Sequence, residues 1–124
     1  MSDSLPTKPE LEILKLLWRT KSASAREVAD AIADRLGWSY STLRTVLERM
    51  VEKDLLDRRP GEAANLYSAA ISKVTLLGRM IEDFSGRVLE LDSAPPALMF
   101  AKSKLLTEDE VAELEKLLSV EEKA

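Results

Sequence analysis

Within residues 39–53, SYSTLRTVLERMVEK, the side chains able to do recognition chemistry are Ser41, Thr42, Arg44 and Thr45. They are short hydroxyls around one long guanidinium. Hydroxyls exchange hydrogen bonds with phosphate oxygens and base edges, and an arginine fork matches the two major-groove acceptors of guanine. Such reading requires the four groups on one rigid face. Leu43, Val46, Leu47 and Met50 recur at i, i+3, i+4 and i+7, which predicts a helix with one buried stripe and the four polar residues opposite. Ser39 is suited to cap its start, because a hydroxyl can accept from a backbone N–H that no helical carbonyl reaches. An ordinary amphipathic helix with a solvated polar face has the same pattern, so the flanking elements must discriminate.

Upstream, Thr7 with Glu10 and Ser24 with Glu27 each form the T/S-x-x-E capping box that opens a helix. The first helix is expected to run to about Thr20, with Leu11, Leu14, Leu17 and Trp18 inward. The second is expected to end near Leu36, with Val28, Ile32 and Leu36 on one face. Lys21 to Ala23 is a short connector able to pair as a strand, and Gly37 suits the left-handed position past a helix end. Two short helices joined by a tight glycine turn make a helix-turn-helix. Downstream, Leu55 to Arg59 and Asn65 to Ile71 read as strands around a Pro60-Gly61 turn, with Tyr67, Ala69 and Ile71 on one face. A hairpin directly after the reading helix is a wing, and Arg58 and Arg59 before its tip are placed to touch phosphates. Helix, short strand, helix, helix, hairpin is the order of a winged helix-turn-helix, here over residues 1–71.

Residues 72–124 read as helical. From Ser72 to about Asp92, Val74, Leu77, Ile81, Phe84, Val88 and Leu91 are spaced three and four apart, an a/d heptad seam. Leu76, Met80 and Leu89 widen that face. Pro95 and Pro96 interrupt it, a short helix follows at Ala97 to Lys102, and a third capping box, Thr107 with Glu110, opens a last helix carrying Val111, Leu114, Leu117 and Leu118. Three short helices have too little mass to bury their own faces, so pairing with a second copy is expected. The fold class is therefore mainly α: a winged helix-turn-helix DNA-binding domain followed by a helical dimerisation module.

Composition limits the chemistry. Among the 124 residues there is no Cys and no His, which removes disulfides, the usual zinc sites and Ser-His or Cys-His catalysis; no cofactor is expected and an enzyme is disfavoured. No apolar run approaches the roughly 18 residues of a membrane span and no signal-peptide pattern opens the chain, so a cytoplasmic protein without membrane insertion is expected. The net charge of −4 is unevenly placed: residues 1–71 hold 11 basic and 11 acidic side chains, and 72–124 hold 7 and 11. The neutral N-terminal part leaves room for a local basic surface.

The runs LEILKLLW, SAREVADAI and GWSYSTLRTVLERMVEKDLL, with the hairpin ending in LYS and the segment ALMFAKSKLLTEDEVAELEKLL, resemble the penicillinase-repressor family over about Glu10 to Leu118. The resemblance implies a homodimeric repressor on a palindromic operator, with Ser41, Thr42, Arg44 and Thr45 facing double-stranded DNA and Arg58 and Arg59 on the wing. It implies a dimer built from the seam together with Leu98, Phe100, Leu114 and Leu117. In antibiotic-resistance members a membrane metalloprotease sensor triggers cleavage of an Asn-Phe bond. The matching bond here is Met99–Phe100, which keeps Phe and lacks Asn; as dimer core, Leu98, Met99 and Phe100 have an equally simple role. Copper sensing, which uses a C-terminal cysteine cluster in one branch, is disfavoured. Glu48 and Glu52 depart from the family's reading helix. Glu48 is one turn from Arg44 and could pair with it, and with the acidic balance it supports an alternative, a winged helix used as a protein-interaction module without DNA.

Overall fold

The computed structural model describes residues 5–123, with side chains described as far as Leu118. The elements are α1 (Lys8–Thr20), β1 (Ala23–Ser24), α2 (Ala25–Leu36), α3 (Tyr40–Glu52), β2 (Leu56–Arg59), β3 (Leu66–Ala69), α4 (Lys73–Asp83) and α5 (Glu108–Lys123), with a π-helical turn at Phe84–Val88 and a 3₁₀ turn at Ala97–Phe100. They form two compact units that meet at Ser72 and Lys73. No helix among the described residues is long and apolar enough to cross a membrane.

Helix starts in the first unit follow local chemistry. Thr7 and Ser24 each accept from the backbone N–H three residues on, and Glu10 and Glu27 each reach back to the cap. Two orphan donors are satisfied at each helix end. Ser39 caps α3 by accepting from the Thr42 N–H at 3.1 Å. Gly37 closes α2 at φ 71°, ψ 29°, a conformation that costs a Cβ-bearing residue about 1 kcal/mol or more. Gly61 is needed for a different reason: a Cβ there would lie 2.5 Å from the Ala64 carbonyl oxygen, so the hairpin tip closes only around a glycine.

The sheet has the order β1-β3-β2, antiparallel throughout, with Ala23 opposite Tyr67 and Arg58 opposite Tyr67 on the other side. Ile13, Leu14, Leu17, Val28, Leu43, Leu47, Met50 and Leu56 are fully or almost fully buried, whereas Leu11 and Trp18 are only half-buried. Trp18 is anchored through its polar edge as well, its Nε1–H donating to the Ile71 carbonyl at 3.0 Å.

The second unit has a small core of Val74, Ala97, Leu114 and Leu118, against which Ile81, Ala94, Phe100, Leu106 and Val111 pack. Lys73 ties its ends together, donating to the Leu105 carbonyl at 2.7 Å and pairing with Glu110 at 3.0 Å. The helix after Ser72 ends earlier than the heptad count predicts. From Phe84 the turn widens, with the Leu89 N–H bonded five residues back to the Phe84 carbonyl, and Glu90 at φ 56° turns the chain away. Leu91 therefore lies outside the helix. The expected helix at Ala97 to Lys102 is the shorter 3₁₀ turn.

A half-buried ion pair joins the start of α1 to the residue after α3. Lys53, just past α3, donates to Glu10 at the start of α1 at 2.6 Å, and the Glu10 side chain is 8% exposed. Burial alone would raise the Glu10 pKa. Hydrogen bonds from Lys53 and the Thr7 N–H outweigh it, and the carboxyl lies below its ordinary value. A lowered carboxylate contributes stability in full above its unfolded-state pKa and loses it as pH falls through the folded one. Lys53→Met should leave Glu10 buried without its cation and cost about 1–3 kcal/mol at neutral pH. Urea unfolding across pH should also show a shallower acid-side loss in the variant than in the parent.

Candidate nucleic-acid interface

α3 divides its two faces sharply. Leu43, Leu47 and Met50 are fully buried, which turns Ser41, Thr42, Arg44 and Thr45 to solvent. The hydroxyls differ in what they offer. Thr45 donates to the Ser41 carbonyl at 3.1 Å, so its free capacity is as an acceptor. Thr42 accepts from the Ser39 hydroxyl at 3.1 Å and keeps its own proton to donate. The Ser41 hydroxyl and the Arg44 guanidinium hold no hydrogen bond or ion pair among the described residues. Arg44 lines two grooves, one of about 580 Å³ along α3 with Tyr40, Ser41, Thr45, Glu48, Arg49 and Glu52, and one of about 300 Å³ bounded by Ser24, Arg26, Tyr40, Asn65 and Tyr67.

The second groove contains a pair that no local spacing signals. The Arg26 guanidinium, from the first turn of α2, stacks over the Tyr40 ring at 4.0 Å, a cation–π contact that holds a positive charge beside the start of α3. These residues meet only because the turn at Gly37 folds α2 back on α3.

Glu48 is paired differently from the expectation. Its carboxylate accepts from the Arg58 guanidinium on β2 and from the Tyr67 hydroxyl on β3, not from Arg44. The Tyr67 hydrogen bond, joined by that of Arg58 and by the field of Arg44, holds the Glu48 carboxyl below the usual range despite some burial. Arg58 is thereby engaged within the chain, while Arg59 is exposed and makes no ion pair among the described residues. The i, i+4 rule chose Arg44 because it counts neighbours on one helix; the hairpin supplies closer donors from far along the chain.

The residues expected at a dimer surface fall into three groups. Val74 and Leu114 are buried in the protomer's own core. Leu77, Ile81 and Phe100 are half-buried. Phe84, Val88, Leu91, Leu98 and Leu117 are exposed, as is Met99 beside Phe100 in the 3₁₀ turn.

The penicillinase repressor family matches residues 6–120. The chain belongs to that family. It is 26% identical over 110 residues to the methicillin resistance regulatory protein MecI of Staphylococcus aureus (strain N315), covering 89% of each chain. It is 27% identical over 110 residues to a penicillinase repressor of Staphylococcus aureus, covering 89% of this chain and 87% of that one. Among solved structures, the reduced form of MarR from E. coli matches with a TM-score of 0.46 and 24% identity, covering 93% of this chain and 76% of that one. The family is one of repressors, not of enzymes.

Tyr67 reports on this network. Its side chain is 2% exposed, and burial, with the hydrogen bond to Glu48 adding to it, pushes its pKa from 10 up to about 12. A group raised in the fold contributes stability in full below its unfolded pKa and loses it as pH rises through the folded one, here between about 10 and about 12. The chain has two tyrosines, so Tyr40→Phe isolates Tyr67. Alkaline spectrophotometric titration of that variant should show tyrosinate forming only toward about pH 12, and adding Glu48→Gln should move the transition down.

Proposed function

We propose that the protein is a homodimeric transcriptional repressor that binds a palindromic double-stranded DNA operator, each subunit placing α3 in a major groove and its β2–β3 wing on the adjoining backbone. The observation that supports this most is the outer face of α3. Ser41 and Arg44 stand exposed, with no hydrogen bond or ion pair among the described residues, on a helix whose inner face buries Leu43, Leu47 and Met50, in a chain of the repressor family. Half-sites should lie about one helical turn apart, or a multiple of it.

The second unit supports self-association. Every exposed large hydrophobic among the described residues belongs to it, with Phe84 52%, Met99 71% and Leu98 76% exposed. Leu77, Met80, Ile81, Phe84, Leu89, Pro95, Met99 and Phe100 line an apolar cleft of about 370 Å³. Exposed apolar surface of this kind marks an interaction face, and a second copy is its proposed occupant. Relief of repression by cleavage at Met99–Phe100, with a membrane metalloprotease sensor as the agent, is the induction we propose. That bond lies in the 3₁₀ turn beside the exposed Leu98, and cutting it would sever the covalent link between Val74 and Ala97 on one side of the small core and Phe100, Leu114 and Leu118 on the other.

A protein-interaction module without DNA is the competing reading, supported by the sequence pI of about 5.0 and the exposed Glu52. Glu48, paired with Arg58 and Tyr67, adds less to that acidic face than its position suggested.

Genomic binding mapping should first recover an enriched palindromic site. On that site Arg44→Ala should cost about 1–3 kcal/mol and relax preference at one base position. Arg59→Ala should weaken all sequences alike and flatten the log affinity–log salt slope by about 0.9. An Arg44→Ala protein with unchanged base preference would remove the base-reading role.

The dimer has its own test in Phe84→Ala. Truncating a fully packed phenylalanine costs roughly 3–5 kcal/mol, and here that loss should fall on association rather than on the winged helix. Sedimentation at micromolar concentration should show dissociation, with operator affinity falling although no DNA contact has changed. A variant that remains dimeric and binds normally would place Phe84 outside the interface.

A further inference from the structure

Glu48 lies on the reading helix, yet both its oxygens are occupied. One accepts from Arg58 of β2 and the other from the hydroxyl of Tyr67 on β3. A carboxylate with two charge-assisted or hydroxyl donors has little left to offer a base. Its partners also differ in freedom. Tyr67 is buried and fixed between β1 and β2, whereas the Arg58 side chain is 43% exposed. Arg58 therefore has room to swing, and Arg59, the next residue on the strand, remains exposed and unpaired among the described residues.

We propose that Glu48 is a positioning residue: it holds Arg58 against α3 and withholds that cation from the DNA backbone. The proposal rests on the DNA-binding reading above and deepens it. Any phosphate that would recruit Arg58 must displace a carboxylate already seated on a fixed tyrosine. The wing then presents one free arginine, Arg59, instead of two. Phosphate contacts carry affinity for every sequence and base contacts carry discrimination. Removing one backbone cation from the count lowers affinity for every sequence and leaves discrimination to the Arg44 face. The same pair links the wing to the reading helix, so the orientation of one follows the other.

Two effects of Glu48→Gln must be separated. Deleting the charge relieves repulsion of phosphate whatever Arg58 does, whereas release of Arg58 depends on Arg58 being present. Gln keeps an oxygen that can accept from Tyr67, which preserves the fixed side of the network. The experiment is a salt titration of binding to a random-sequence duplex with four full-length proteins: parent, Glu48→Gln, Arg58→Ala and the double variant. Glu48→Gln should bind more tightly, with its log–log slope steeper by about 0.9, the value of one added phosphate contact. Arg58→Ala should have the parent's slope, and the double variant should lose the added steepness. A Glu48→Gln slope equal to the parent's would overturn the proposal. So would an Arg58→Ala slope flattened in the Glu48 background, because Arg58 would then already contact phosphate. A parent protein whose affinity for duplex does not fall with salt would remove the DNA-binding reading itself, and this inference with it.

Discussion

The pairing of β3 on both edges is the constraint on which the first unit depends. β3 takes β1 on one side and β2 on the other, so a four-residue strand joins the segment before α2 to the segment after α3. Antiparallel pairing fixes register through alternate faces, and the register places Tyr67 opposite both Ala23 and Arg58. That one position sends a ring into the interior and a hydroxyl to Glu48 on α3. The hairpin is therefore anchored to α3 by side chains as well as by the chain that connects them.

Several acids are answered by groups from another element of the fold. The buried Glu10 is satisfied by Lys53 and Thr7, Glu48 by Arg58 and Tyr67, and Glu110 by Lys73 and its own cap. No buried side-chain nitrogen or oxygen among the described residues lacks a partner. Arg44 and Arg59 make no ion pair among the described residues and stay exposed. A net charge of −4 is a sum over the chain, and the field at one face depends on where the individual charges lie.

Local patterns were the legible part of the sequence. The three capping boxes, the glycine past α2 and the buried stripe of α3 each depend on residues within one or two turns, and each stands where its spacing put it, except that Val46 of the stripe is only half-buried. Contacts set by the folded chain were not legible. Glu48 had a plausible partner four residues away and took two from the hairpin instead. Arg26 met Tyr40 across the turn between α2 and α3. The heptad seam was misjudged for another reason. Counting by three and four assumes a constant pitch, and nothing in the spacing of Phe84, Val88 and Leu91 announces a change of turn size. Gly86, a residue of low helix propensity, lies inside the widened turn.

That widened turn has a geometric consequence for the second unit. Each residue of an α-helix advances the azimuth by about 100°, so one extra residue in a turn rotates everything beyond it by that amount. The residues past Phe84 are consequently rotated off the line a regular heptad would give: Leu89 joins Leu77, Ile81 and Phe84 on the wall of the apolar cleft, and Leu91 leaves the helix. A straight helix lying along α4 could follow the regular seam only as far as Phe84. The exposed apolar face is in this way a bounded patch and not a continuous coiled-coil track.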